Sequence, residues 1–239
     1  MENMILERYK KVKENIELAC LKAGRSSHEV QLIIVTKGFN ADSVLKLEKT
    51  DNEILGENYP EETIKKIKEI NLLSPTYNPV WHMIGHLQSR KVKLMYPHFA
   101  MIHSIDSVHI AEKVNNSFIN LNRSIDVLLE INIAGEPTKY GFNVVSEKER
   151  DLFLQDFLKM TRLSNISIKG LMCMPPYAKK EDQNRCYYED CKKIRDSLIK
   201  ETKIESLEHL SMGTSADYFT AIQCGATLVR VGEAIMGNR

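Results

Sequence analysis

Lys37 stands where an amine could do chemistry. It follows Leu32-Ile33-Ile34-Val35-Thr36, an aliphatic run of strand length, and precedes Gly38, which lets the backbone turn. A run without polar alternation suits a strand buried on both faces, as in a parallel sheet. A lysine at the carboxyl end of such a strand is half desolvated. Desolvation disfavours the ammonium form and makes an amine nucleophile available near neutral pH. The plainer alternative is that the side chain simply reaches out to water where the strand ends.

Two further stretches bear on that choice. Ser211-Met212-Gly213-Thr214-Ser215 runs into an expected helix capped by Thr214 or Ser215, so hydroxyls and free backbone N–H groups converge on a ready anion site. Val231-Gly232-Glu233 follows the last expected strand, and Gly232 lets a ligand approach the backbone. Arg230 lies inside that strand, where a guanidinium needs a partner. The partner is either an internal carboxylate, Glu57 or Glu130, or a ring nitrogen of a cofactor, because a guanidinium only donates. An aldehyde-reactive lysine, a phosphate cradle and a ring-nitrogen partner together meet the requirements of pyridoxal 5′-phosphate (PLP).

The elements that must position these groups follow from periodicity. Ile5, Tyr9, Val12, Ile16, Ala19 and Ala23 form a helical stripe closed by Gly24. Eight short strands are expected around 32–36, 53–56, 80–85, 99–103, 125–133, 168–172, 207–210 and 227–231. Helices are expected between nearly all of them, including 42–49 and 88–95, and Ser146 with Glu149 forms a capping box. A long loop covers 134–144. The 239 residues are close to the roughly 250 typical of a (β/α)8 barrel. The predicted class is therefore α/β, a single TIM-type barrel domain over 1–239. No full final helix is expected, and the N-terminal helix covers that gap. A doubly wound sheet is disfavoured because no strand is followed by Gly-x-Gly-x-x-Gly. The carboxyl ends of barrel strands form the active face, and Lys37, Asn58, His82, Gly85, Ser104, Asp106, Asn132 and Ser211 all fall there. Any one of these could be an ordinary turn, core or capping residue.

Composition narrows the classes. The formal charge is +1, from 33 basic and 32 acidic residues, so no nucleic-acid or membrane surface is indicated. No apolar run reaches the roughly 20 residues of a membrane-spanning helix, and the charged start does not resemble a secretory signal. Five cysteines, an odd number without a Cys-x-x-Cys pair, read as reduced residues of a cytoplasmic protein with no metal site.

The sequence resembles the YggS/PROSC family of PLP homeostasis proteins over almost its whole length. The resemblance is carried by Val35-Thr36-Lys37, Gly56-Glu57-Asn58-Tyr59, Trp81-His82-Met83-Ile84-Gly85-His86-Leu87-Gln88, Leu210-Ser211-Met212-Gly213 and Val229-Arg230-Val231-Gly232. It implies that Lys37 holds PLP as a Schiff base and that Arg230 faces the pyridine nitrogen. It further implies that Ser211, Ser215, Gly232 and Glu233 hold the phosphate, with Asn58 and His82 lining the pocket. Lys139 matches a family lysine on a mobile loop. Glu61 and Thr214 depart from the family pattern of glutamine and methionine, and Thr214 bears on how the phosphate loop packs.

The same barrel is similar to the N-terminal domain of alanine racemases and ornithine-type decarboxylases, which add a β domain expected to be missing here. The resemblance thus favours a non-enzymatic carrier that regulates PLP supply and passes it to apo PLP-dependent enzymes. An amino-acid racemase with a one-domain site is the alternative. It would need a second acid/base group, for which only His82, Tyr59 and Tyr140 are at hand. A Schiff-base aldolase on a phosphosugar would use the same lysine without a cofactor, and would be colourless.

Overall fold

The first and last strands of the chain are neighbours, and that pairing shapes the molecule. In this computed structural model, which describes residues 2–180 and 182–238, β1 (Gln31–Val35) pairs in parallel with β2 (Ile54–Glu57) and with β9 (Leu228–Val231). From β2 the sheet continues through β3 (Val80–Met83) to β4 (Met101–Ile105). From β9 it continues through β8 (His209–Ser211) and β7 (Ile166–Cys173) to β5 (Ile125–Asn132). The β4–β5 pairing then closes an eight-stranded parallel barrel. A two-residue strand, β6 (Phe142–Asn143), pairs only with the end of β5 and lies in the segment expected to be all loop.

Alternation of side chains sets up two separate cores. Ile33, Met101, Leu128, Met172 and Leu228, with Ile54 against them, fill the barrel interior. The residues between them, such as Ile34, Leu55, Ile102, Val127, Leu129 and Val229, face outward into a larger core beneath the helices. Each fully buried aliphatic contributes about 1.5–3 kcal/mol, so Leu128→Ala, which opens a void inside the barrel, is expected to cost about 2–5 kcal/mol.

The helices α3 (Pro60–Leu73), α4 (Val108–Ile119), α5 (Glu147–Met160) and α6 (Arg185–Thr202) follow strands. The Ser146–Glu149 capping box forms at the start of α5, the Ser146 hydroxyl accepting from the Glu149 N–H at 3.3 Å. After β9 a single turn, α8 (Glu233–Met236), ends the regular structure. The long helix α1 (Glu2–Lys22) packs its Ile5–Tyr9–Val12–Ile16–Ala19 stripe over α8 and over α7 (Tyr218–Gln223), covering the expected gap.

Two expected helices are tighter than α. Residues 42–49 split into α2 (Ala41–Leu45) and a 3₁₀ turn, and 88–95 hold only a 3₁₀ helix, Ser89–Leu94. In the latter Val92 is the one buried side chain, too little apolar face to hold an isolated α-helix. Among the described residues, no helix is long and apolar enough to cross a membrane.

Candidate functional site

The residue before Lys37 is fixed from three sides. Thr36 is fully buried. Its N–H donates to the Gly56 carbonyl at 3.0 Å, its hydroxyl donates to Glu57 Oε1 at 2.7 Å, and its carbonyl accepts from Lys66 Nζ at 2.9 Å. Lys66 and Glu57 are themselves a buried ion pair. Both contacts use Glu57 Oε1, and Arg230 makes its own hydrogen bonds to other groups. The chain then turns at Lys37 and at Gly38, whose φ of +77° is glycine territory.

Register brings Asn58 beside Lys37. Val35 pairs with Gly56, so two residues later the two side chains leave adjacent strand ends together. Gly85 allows Asn58 to sit there, because a Cβ at Gly85 would lie 2.7 Å from the Asn58 Cα. The Gly85 carbonyl is held in turn by the Ser104 hydroxyl, which donates to it at 2.6 Å. Lys37, Asn58, Ser215, Arg230, Gly232 and Glu233 all line one cavity of about 890 Å³ at the carboxyl ends of the strands. A second cavity of about 540 Å³ lies outside the barrel between α1 and Lys49–Asp51, remote from these groups.

Arg230 is buried in β9 and takes neither of the expected carboxylates as a hydrogen-bond partner. It donates to Ser211 Oγ at 2.6 Å and to the Cys173 carbonyl at 3.0 Å. Burial pulls its pKa below the ordinary arginine value, with nearby negative groups opposing the shift. Glu130 feels this charge but is not bonded to it. Burial and Asp106 push its carboxyl up to about 7, against the pull of Arg230 and Lys139.

Ser211 and His82 lie within β8 and β3, and neither lines the cavity. The Ser211 oxygen sits 2.9 Å from His103 Nδ1, and His103 Nε2 sits 3.0 Å from His82 Nδ1. Burial pushes His82 down to about 4 and His103 well below its ordinary value, so both rings are neutral. Ser211 is fully buried with its hydroxyl shared between Arg230 and His103. His103 was not foreseen as part of the site. Its signal in the sequence is its place two residues after the inward-facing Met101, at the same parity.

The phosphate-type loops meet at Ser215. Its hydroxyl oxygen accepts from the Gly232 N–H and the Ala234 N–H, both at 3.2 Å, so Ser215 joins the end of β9 to α8. It does not cap α7, contrary to expectation. That helix begins at Tyr218 with Asp217 before it, and the Thr214 N–H donates to Asp217 Oδ1 at 2.8 Å. Asp217 Oδ2 accepts from the Tyr188 hydroxyl at 2.6 Å and from Asn184 Nδ2 at 2.8 Å, which holds the loop rigidly. Thr214, for all its departure from the family pattern, is accommodated by this carboxylate.

Lys139 is exposed and outside the cavity lining. Its loop is docked at the rim by Tyr140, which stacks on His86 with ring centroids 3.5 Å apart and planes 10° apart. His86 Nδ1 in turn lies 3.0 Å from Asp106 Oδ2.

Residues 9–239 match the model of the alanine racemase N-terminal domain. A pyridoxal phosphate homeostasis protein of Aquifex aeolicus is 34% identical over 233 residues, 98% of this chain and 97% of the relative. The structure of PipY of Synechococcus elongatus with PLP bound superposes with a TM-score of 0.79 and 27% identity, covering 95% of this chain and 100% of that one. An alanine racemase of Clostridium difficile shares the fold, with a TM-score of 0.71 at 16% identity over 99% of this chain and 57% of its own. The chain belongs to the alanine racemase N-terminal domain family and, within it, to the pyridoxal phosphate homeostasis proteins.

Proposed function

We propose that this protein binds PLP, holds it covalently on Lys37 and regulates its supply in the cytoplasm without catalysing a reaction of its own. One observation carries the reading: Lys37, Arg230 and the Ser215–Gly232 junction all line a single cavity at the strand ends. Its size, about 890 Å³, is within the range of small-molecule sites. When bound, PLP supplies an aldehyde that condenses with an amine, and a ring nitrogen that withdraws electrons strongly only when protonated. Lys37 supplies the amine. Arg230 presents donors and a positive charge, which orients an acceptor nitrogen and disfavours a proton on it. The Ser215 hydroxyl, whose oxygen accepts from the Gly232 and Ala234 amides and whose proton is left to donate, receives the phosphate beside Glu233, and Asn58 flanks Lys37. His82 and Ser211 act by holding Arg230.

The carrier reading is favoured over a racemase by the surroundings of Lys37. Racemisation needs a second acid/base group at the substrate carbon. Neither His82 nor Tyr59, which is half-exposed at the start of α3, lines the cavity, and Tyr140 is stacked on His86. The test mixes PLP-loaded protein with an apo PLP-dependent enzyme. Recovery of that enzyme's activity, with loss of the visible absorbance of this protein, is expected. Lys37→Ala should abolish the borohydride-trappable adduct and leave the fold intact. A persistent adduct would move the attachment elsewhere, with Lys139 the first residue to map. Repeated α-proton exchange of amino acids in deuterated water, dependent on Lys37, would replace the carrier by a racemase.

A further inference from the structure

The cavity has a third cation besides Lys37 and Arg230. It comes from α1, an element outside the barrel. Arg8 lies on the edge of the buried stripe of that helix, three residues after Ile5 and four before Val12, and its side chain is half-buried. Because α1 packs on α8, Arg8 reaches the same cavity wall as Gly232, Glu233 and Ala234.

Gly237 leaves it room there. That residue has φ of +86°, which side chains other than hydrogen rarely tolerate, and a Cβ on it would lie 2.4 Å from Arg8 Nη1. The guanidinium therefore rests against bare backbone at the cavity lip. The turn that leads there is short: the Gly237 N–H donates to the Glu233 carbonyl at 2.9 Å, and the Met236 N–H donates to the Gly232 carbonyl at 2.8 Å. One helical turn spans only about 5 Å, so Arg8 sits within side-chain reach of the Gly232 and Ala234 amides.

The other two cations are otherwise engaged. Arg230 gives two of its nitrogens to Ser211 and Cys173, and Lys37, just past β1 beside the end of β9, is taken up as the amine. The Ser215 hydroxyl and the loop amides are neutral, and Glu233 nearby is acidic. A phosphate dianion at this junction would lack a full counter-charge without Arg8, which among the described residues forms no ion pair. We propose that Arg8 is the residue that selects phosphorylated from unphosphorylated forms of the ligand, closing over the phosphate from the N-terminal helix while Gly237 leaves it room. The proposal rests on the PLP reading above.

The test measures equilibrium binding of PLP and of pyridoxal to the full chain, by ligand absorbance and ultrafiltration, with inorganic phosphate as competitor. Arg8→Gln should weaken PLP about tenfold or more, the loss of one charge-assisted hydrogen bond, and leave pyridoxal unchanged. Arg8→Lys should restore part of the difference, and phosphate should compete less well in Arg8→Gln than in the unaltered protein. Gly237→Ala, which displaces the guanidinium without removing its charge, should show the same selective loss. Equal weakening of PLP and pyridoxal in Arg8→Gln, or no change in either, would overturn the assignment while leaving PLP binding itself intact. Failure of the unaltered protein to take up PLP would instead remove the functional reading, and the role of Arg8 with it.

Discussion

Arg230 donates to Ser211 Oγ at 2.6 Å, and that one bond decides the protonation of two histidines. A guanidinium has no lone pair to offer, so Ser211 must accept from it. The serine oxygen has a second lone pair, but among the described residues its proton has His103 Nδ1, 2.9 Å away, as its acceptor, and satisfying that proton sets the direction. His103 must therefore carry its proton on Nε2, which donates to His82 Nδ1 at 3.0 Å and leaves the His82 proton on Nε2 as well. The chain runs in one direction from β9 through β8 and β4 to β3, and it orients Arg230. Nitrogen-15 NMR of labelled protein should show both rings neutral with the proton on Nε2. In Ser211→Ala the direction is no longer imposed, and the His103 signals should shift or broaden. An Nδ1–H tautomer at His103 in the unaltered protein would break the relay.

The same burial gives the protein a defined response to acid. Above pH 6.5 both histidines are neutral whether folded or unfolded, and they cost nothing. Below 6.5 the unfolded chain takes up protons, whereas folded His82 resists until about 4, so stability falls as the pH drops through that window. The His82 contribution is on the order of 3 kcal/mol by the time pH 4 is reached, and His103 adds in the same direction. Glu130 acts oppositely. Its folded pKa is raised to about 7, so its contribution is intact below the ordinary carboxylate pKa and is lost as the pH rises toward 7. Denaturant midpoints from pH 4 to 8 should show Glu130→Gln gaining on the unaltered protein as pH rises. A constant offset between the two at all pH values would mean that Glu130 titrates normally.

Glu57 and Lys66 are expected to matter for the reactivity of Lys37 without entering the cavity. Glu57→Gln leaves the Lys66 charge buried and uncompensated, a loss of about 3–5 kcal/mol. It also weakens the hold on Thr36, the residue bonded to Lys37. Lower thermal stability and slower formation of the borohydride-trappable adduct are both expected. Glu57→Gln combined with Lys66→Met, which removes the stranded charge, should recover much of the stability but not the rate. Recovery of both would show that Thr36 needs neither partner.

The barrel was legible because its signals are local. Aliphatic runs such as Ile33–Val35 and Val229–Val231 mark buried parallel strands wherever they end up, and polar residues just past them mark the functional face. Motifs placed Lys37, Arg230, Asn58 and Ser215 around the cavity for the same reason. Depth along a strand is harder to read. The motif points Ser211 at the phosphate, and its place within β8 rather than after it is not legible there: its buried hydroxyl meets Arg230 and His103. Arg230 was offered carboxylates because burial demands a partner, yet a serine and a carbonyl oxygen from β8 and β7 satisfy it. Arg8 was invisible for a different reason: only the packing of α1 on α8 brings the first turns of the chain to a site made by its last.

That difference in depth separates two serines that the motif joins. Ser215 bridges the Gly232 and Ala234 amides at the cavity wall, so its hydroxyl is placed to add one donor to a phosphate. Ser215→Ala should therefore weaken PLP by about tenfold, the effect of one charge-assisted hydrogen bond, while pyridoxal binds as before. Ser211→Ala should behave differently. It removes an acceptor from buried Arg230 and the donor to His103, and the guanidinium is left under-satisfied, at a cost of about 1–3 kcal/mol in stability. Since Arg230 serves the ring and not the phosphate, PLP and pyridoxal should weaken together. Parallel titrations of both ligands with both variants decide the matter. A loss in Ser211→Ala confined to PLP would return that serine to the phosphate site, and an equal loss in Ser215→Ala would remove Ser215 from it.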